Sequence, residues 1–267
     1  MNKNRSMGWL LRAVGVFGSC AALFGSPVAV RHTEGIVHGF LVLRTLDGAP
    51  IADGDLSQVA SGDQVTSHLV FRFRDGSLHD ETAVYSQRGE FRLVSDHLIQ
   101  KGPTFPRPLE MTLSGRGDIT VHYQDDHGES RVESSHLTLP TDLANGMVMV
   151  LLKNAPAGGP PGTWSFVAAT PKPRLVTLVA TSVGSEPFMT GGGSRLATHY
   201  VVKIDIGGMQ GFLAPLVGKQ PPDSHVWILA GDVPTFVKAE QALYQGGPIW
   251  RIELVSPNWS RSAMPTR

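Results

Sequence analysis

The sequence predicts an all-β, mainly antiparallel fold: a meander sheet with one short helix. Three observations predict it. Apolar and polar residues alternate along several short runs, glycine-containing turn sequences separate those runs, and one stretch alone has helical spacing. The composition agrees, because 30 glycines, 19 prolines and only 17% charged residues suit short strands and turns better than long exposed helices.

The chain opens on a different kind of element. Lys3, Arg5 and Arg12 precede an apolar stretch from Ala13 to Phe24, and Gly25, Ser26, Pro27 and Ala29 follow it. A basic start, a short apolar segment and small residues make a secretory signal, assigned to residues 1–30 with cleavage between about 25 and 32. The apolar stretch is well short of the ~20 residues that span a bilayer, so a stable transmembrane anchor is not expected. The only cysteine, Cys20, falls inside it. Phe17-Gly18-Ser19-Cys20 resembles the box before a lipid-modified cysteine, but Phe17 stands where that box carries Leu or Val. The minority reading is a lipid anchor through Cys20; the main one is a cysteine discarded with the signal. The mature chain then has no thiol for a disulfide, a nucleophile or a zinc thiolate.

Residues 31–256 read as a single curved antiparallel β domain. Leu69, Phe71 and Phe73 share one face of a strand and His68, Arg72 and Arg74 the other. The alternation returns in Leu109, Met111 and Leu113, in Ile119, Val121 and Tyr123, in Tyr200, Val202, Ile204 and Ile206, and in Trp250, Ile252 and Leu254. One wet face per strand points to antiparallel pairing. Asp47-Gly48, Asp75-Gly76, Arg88-Gly89, Gly115-Arg116-Gly117, His127-Gly128, Gly207-Gly208 and Gly246-Gly247 are the expected hairpin turns. The helix is predicted over Thr141–Lys153, capped by Thr141 or Asp142, with Leu143, Met147, Val150 and Leu151 on its apolar face. Residues 154–162 (NAPAGGPPG) are a possible internal break, and 257–267 a flexible tail.

The charge balance of 23 basic against 23 acidic residues provides no field for a polyanion, so nucleic acid is excluded as a partner. A metal centre would have to come from His122-Tyr-Gln-Asp125-Asp126-His127-Gly-Glu129, which reads better as a strand ending in a hairpin turn. Gly192-Gly193-Ser194-Arg195-Leu196 lacks the last glycine of a serine-hydrolase elbow, and Gly191–Gly193 lacks the Lys-Ser/Thr of a phosphate loop. Neither catalytic nor metal residues are assigned, and no cofactor is expected. Asp80 and Glu81 are consecutive and therefore point to opposite faces; an inward one would need a partner such as Arg72 or Arg92.

The second half carries Ala197-Thr-His199-Tyr200, Gly211–Lys219, Val226-Trp227-Ile228 and Phe236 through Leu254; the first half carries Phe73-Arg-Asp75-Gly76-Ser77 and Gln100-Lys-Gly102-Pro103-Thr-Phe105-Pro106. In these segments the chain resembles uncharacterised exported bacterial β proteins grouped as domains of unknown function. That resemblance implies a curved sheet similar to the half-barrels with which periplasmic lipoprotein carriers wrap a helix and an acyl chain. Phe71, Phe73, Met111, Tyr123 and Trp250 would then point inward, as a ligand wall or simply as core. The function expected is non-enzymatic binding of a lipid or other apolar ligand, or of a cell-envelope partner. The alternatives are an envelope hydrolase using His79, Asp80, Glu81 and His199, and a purely structural envelope component.

Overall fold

The computed structural model describes residues 25, 27–156, 158–190, 193–206 and 221–255. The signal segment up to Phe24 with Cys20, the Gly207-Gly208 turn, Gly211–Lys219 and the 257–267 tail lie outside the described residues.

The described residues form a 14-stranded antiparallel sheet with one short helix. The strands are β1 Val37–Arg44, β2 Pro50–Ser61, β3 Gln64–Phe73, β4 Leu78–Arg88, β5 Glu90–Lys101, β6 Leu109–Ser114, β7 Asp118–Gln124, β8 Ser130–His136, β9 Gly162–Ala168, β10 Arg174–Thr190, β11 Gly193–Asp205, β12 Ser224–Leu229, β13 Thr235–Gln241 and β14 Trp250–Val255; the helix is α1 Val148–Asn154. Their spatial order is β8-β7-β6-β5-β4-β3-β2-β1-β14-β13-β12-β11-β10-β9. Two meanders therefore join at the middle, where β1 pairs with β14 and Leu43 stands opposite Ile252. The free edges, β8 and β9, are consecutive in sequence, so the chain between them must travel from one edge of the sheet to the other. The tight turns fall at the expected glycines: Gly48, Gly76, Gly89, Gly117, Gly128 and Gly246 all take positive φ.

The connection between the edges explains where the core sits. Met147, Val150, Leu151 and Leu152 of α1 and its entry pack among Leu43, Phe71, Tyr85, Trp164 and Trp250 in the largest apolar cluster. A second cluster joins Val167 of β9 to Met111, Ile119 and Val121 of β6 and β7. One edge of the sheet thus meets the inner face near the other edge, and the sheet curls around its own helix. The edge strand β8 is polar and exposed, which suits a strand with an unpaired side.

The helix is shorter than its spacing predicts, and neither Thr141 nor Asp142 caps it. It begins after Met147, which makes no side-chain capping bond. Residues 142–145 instead lie along the free edge of β9. The Asp142 carbonyl accepts from Ser165 N–H (3.3 Å) and Ala144 N–H donates to the Ser165 carbonyl (2.8 Å). The Asn145 amide accepts from Val167 N–H (2.8 Å) and donates to the Val167 carbonyl (3.0 Å). Backbone groups on a covered strand edge need partners, and this segment satisfies them before the helix can start. Gly146 then turns the chain at φ +62°, where a Cβ would stand 2.3 Å from the Ala83 Cβ.

Candidate functional site

The inward aromatic residues are core. Phe71, Phe73, Met111 and Trp250 are all buried, and Tyr123 packs half-buried on the second cluster. Phe73, Phe105, Tyr244 and Trp250 touch edge to face or tilted, with ring centroids 5.4–6.0 Å apart. None of these residues lines either of the two cavities at the rim.

The open space lies at the rim, between the C-terminal end of α1 and the strands β11 and β12. A cavity of about 240 Å³ is lined there by Arg31, His32, Leu152, Lys153, Ala155, Pro156, Thr198, Tyr200, Ile228, Leu229, Ala230, Gly231 and Pro234. Alternation along β11 delivers Thr198 and Tyr200 to the inner face, opposite Ile228 and Val226 of β12. The third wall is the chain before β1. Asn154, the last residue of α1, is buried; its side-chain oxygen accepts the backbone N–H groups of Arg31 and His32, both at 2.8 Å. Its side-chain nitrogen donates to the Val150 carbonyl at 2.9 Å. One amide thereby fixes helix and N-terminal wall together.

The polar groups of this cavity are unevenly satisfied. Lys153 is neutralised by Glu34 at 2.5 Å, and Glu34 is held by Gln87 through its own backbone. Arg31 has no ion pair among the described residues. Thr198 and Tyr200, 7% and 5% exposed, are the uncharged polar side chains that β11 gives to its lining. Burial pushes the Tyr200 phenol above its ordinary pKa. A smaller cavity of about 130 Å³ lies between Arg92, Leu93, Gly115 and the 139–143 segment.

The four residues of the hydrolase alternative stand on different surfaces. His79 and Glu81 face inward from β4, while Asp80 faces outward and meets His68 at 2.9 Å. His79 is buried among Phe71 and Phe105, and its Nδ1 accepts from the Gln100 amide at 3.0 Å. Burial pulls its pKa down to about 4, so it is neutral. Neither Arg72 nor Arg92 serves Glu81: Arg72 reaches Asp55 and Arg92 reaches Glu90. The inward carboxyl is relieved by protonation instead. Burial raises Glu81 to about 7, and burial together with the neighbouring Glu81 charge raises Asp96 of β5 as well.

His199 lies on the outer face of the sheet, away from these groups. Its ring stacks on Trp227 (centroids 4.2 Å apart, planes 11° apart), and Lys238 sits 3.6 Å from the Trp227 ring centre. Glu186 accepts from Trp227 Nε1 at 3.0 Å and meets His199 Nδ1 at 3.1 Å, while His199 Nε2 meets His225 Nδ1 at 2.9 Å. Desolvation, partly opposed by Glu186, lowers the His199 pKa. At the His122–Glu129 segment, Asp125 is committed to the turn and to Arg131. Among the described residues no group of three or more His, Cys, Asp or Glu side chains is placed to hold a metal ion.

Sequence reasoning placed Tyr200 on an apolar strand face and did not single out Arg31, Lys153, Asn154 or Thr198. The signal that could have found Thr198 is its position two residues before Tyr200 on that face, a polar residue where the pattern asks for an apolar one. Nothing local in the sequence brings Arg31 to Asn154, which lie 123 residues apart.

Neither a protein-family model nor a curated protein matches the chain. A solved structure does: the crystal structure of a beta-barrel-like protein of domain of unknown function DUF1849 from Brucella abortus, at 11% sequence identity and a TM-score of 0.47, covering 84% of this chain and 98% of that one. At that distance the likeness says nothing about ligand or chemistry.

Proposed function

We propose that this is an exported, non-enzymatic binding protein of the cell envelope that takes a small apolar ligand in the rim cavity. One observation carries the reading. Leu152 and Ile228 give the cavity an apolar wall, while Thr198 and Tyr200 of β11 and Arg31 add a few polar groups to its lining. Ligand sites combine a mostly apolar lining with a few convergent polar groups. The export part of the reading is supported by Lys3, Arg5, Arg12 and the Ala13–Phe24 stretch.

Native mass spectrometry of protein purified from its own compartment, before and after organic extraction, tests this. A stoichiometric extractable molecule is the expected result. A clean apo mass in both samples would instead support a purely structural component.

A further inference from the structure

We propose that the rim cavity is built for a short amphipathic anion, a single alkyl chain ending in a carboxylate or similar monoanionic head. The inference rests on the ligand-binding reading above and adds the class of ligand.

Charge decides the sign of the head group. The cavity lining contains Arg31, His32 and Lys153 and no aspartate or glutamate. Glu34 already cancels Lys153, which leaves Arg31 as the surplus cation at the mouth, where it is exposed. A guanidinium offers five donors and no acceptor. The Thr198 and Tyr200 hydroxyls add two more O–H groups able to donate. An uncompensated positive charge with no carboxylate in the lining selects an anion and rejects a cation. The amide of Asn154 does not compete, because its groups are committed to Arg31, His32 and Val150.

Volume decides the size of the tail. About 240 Å³ is below the roughly 300–1,000 Å³ of sites for drug-sized ligands. A short chain fits against Leu152 and Ile228, and a full-length diacyl lipid does not. Arg31, Pro156 and Gly231 are exposed, so the space opens directly to solvent and a charged head can stay at the mouth.

Isothermal titration of the signal-free chain with octanoate, octanol and octyltrimethylammonium separates the possibilities. Octanoate is expected to bind at least about tenfold tighter than octanol, and octyltrimethylammonium weakest. Arg31→Gln and Tyr200→Phe each narrow the octanoate-to-octanol gap, and neither removes a hydrogen bond on which the fold depends. Ala230→Trp, at an exposed position of the lining, abolishes binding of all three. Octanol binding as tightly as octanoate, or the ammonium binding tightest, would overturn the anion inference and leave the apolar-ligand reading standing. No binding of any of the three at millimolar concentration would overturn both. Unchanged binding by the Ala230→Trp protein would move the site elsewhere and overturn the inference too.

Discussion

Asn154 at the end of α1 accepts the backbone N–H of Arg31 at 2.8 Å, across 123 residues of sequence. The same oxygen takes His32 N–H, and the amide nitrogen returns a bond to Val150. Asn154→Ala removes the acceptor of two part-buried N–H groups and the side-chain bond to the Val150 carbonyl, at a cost of about 1–3 kcal/mol. Asn154→Asp keeps both acceptor bonds and loses only the donor. The urea midpoint is expected to fall in the order wild type, Asn154→Asp, Asn154→Ala. Equal midpoints for wild type and Asn154→Ala would mean that the N-terminal wall is not held there.

Gly146 carries a second structural constraint. Its φ of +62° is costly for any residue with a Cβ, and an added Cβ would lie 2.3 Å from Ala83. Gly146→Ala is therefore expected to destabilise by more than ~2 kcal/mol. Adding Ala83→Gly removes the clash and leaves the backbone cost, so the double mutant recovers part of the loss relative to Gly146→Ala alone. A double-mutant cycle in chemical denaturation reads this coupling directly, and additive losses would show that the two sites are not in contact.

The interior titrating groups predict opposing pH dependences. Glu81 has a folded pKa raised to about 7, so the native state holds a proton that the unfolded chain has lost; stability falls as pH rises from about 4.5 to 7 and then levels. His79 has a folded pKa lowered to about 4, so the unfolded chain binds the extra proton; stability falls as pH drops from about 6.5 to 4. Asp96 is raised in the same direction as Glu81, so the His79 slope opposes the fall from the two carboxyls between about 4.5 and 6.5 and reduces it. Glu81→Gln removes the Glu81 share of that decline, leaves the share from Asp96, and gains about 1–3 kcal/mol at pH 8 relative to pH 4.5. His79→Leu removes the acid decline, worth on the order of 3 kcal/mol. Denaturation midpoints across pH 4–8 check both, and an unchanged slope in either variant would assign the dependence to other groups.

The far half of the β10–β11 hairpin is tethered on the outer face by Glu186, which bonds both Trp227 and His199. Beyond Ala180, β10 has no β9 partner, and Ala197 is the last β11 residue paired with β12. Glu186→Ala removes the two bonds and is expected to speed amide exchange between residues 182 and 198 by about tenfold, with β4 and β5 unaffected. Unaltered exchange in the hairpin would show that strand pairing alone holds it.

Much of the fold was legible in the sequence, for physical reasons that also mark where legibility ends. Strand faces such as Leu69-Phe71-Phe73 and Ile119-Val121-Tyr123 follow from period two, and turns such as Asp75-Gly76 from positive φ, because both depend on residues within a few positions. The pairing of β1 with β14 depends on residues at opposite ends of the chain and leaves no local trace. The Thr141–Lys153 segment has helical spacing throughout, but the unpaired edge of β9 holds its first part through an isolated bridge from Leu143 to Ser165, a tertiary demand that overrides local preference. Asp80 and Glu81 were correctly placed on opposite faces. What relieves the inward one was not legible, because an arginine and protonation both relieve a buried carboxylate and the sequence does not choose between them. The rim cavity was the least legible feature, being assembled from residues 31–32, 152–156, 198–200 and 228–234.

The central claim is that the rim cavity holds the alkyl chain of a small ligand. Isotope-filtered nuclear Overhauser spectroscopy on the methyl-labelled protein, saturated with octanoate, tests it most directly. The account predicts contacts from the octanoate chain to the methyl groups of Leu152 and Ile228. Contacts confined to other methyl groups, or none at saturation, would contradict it.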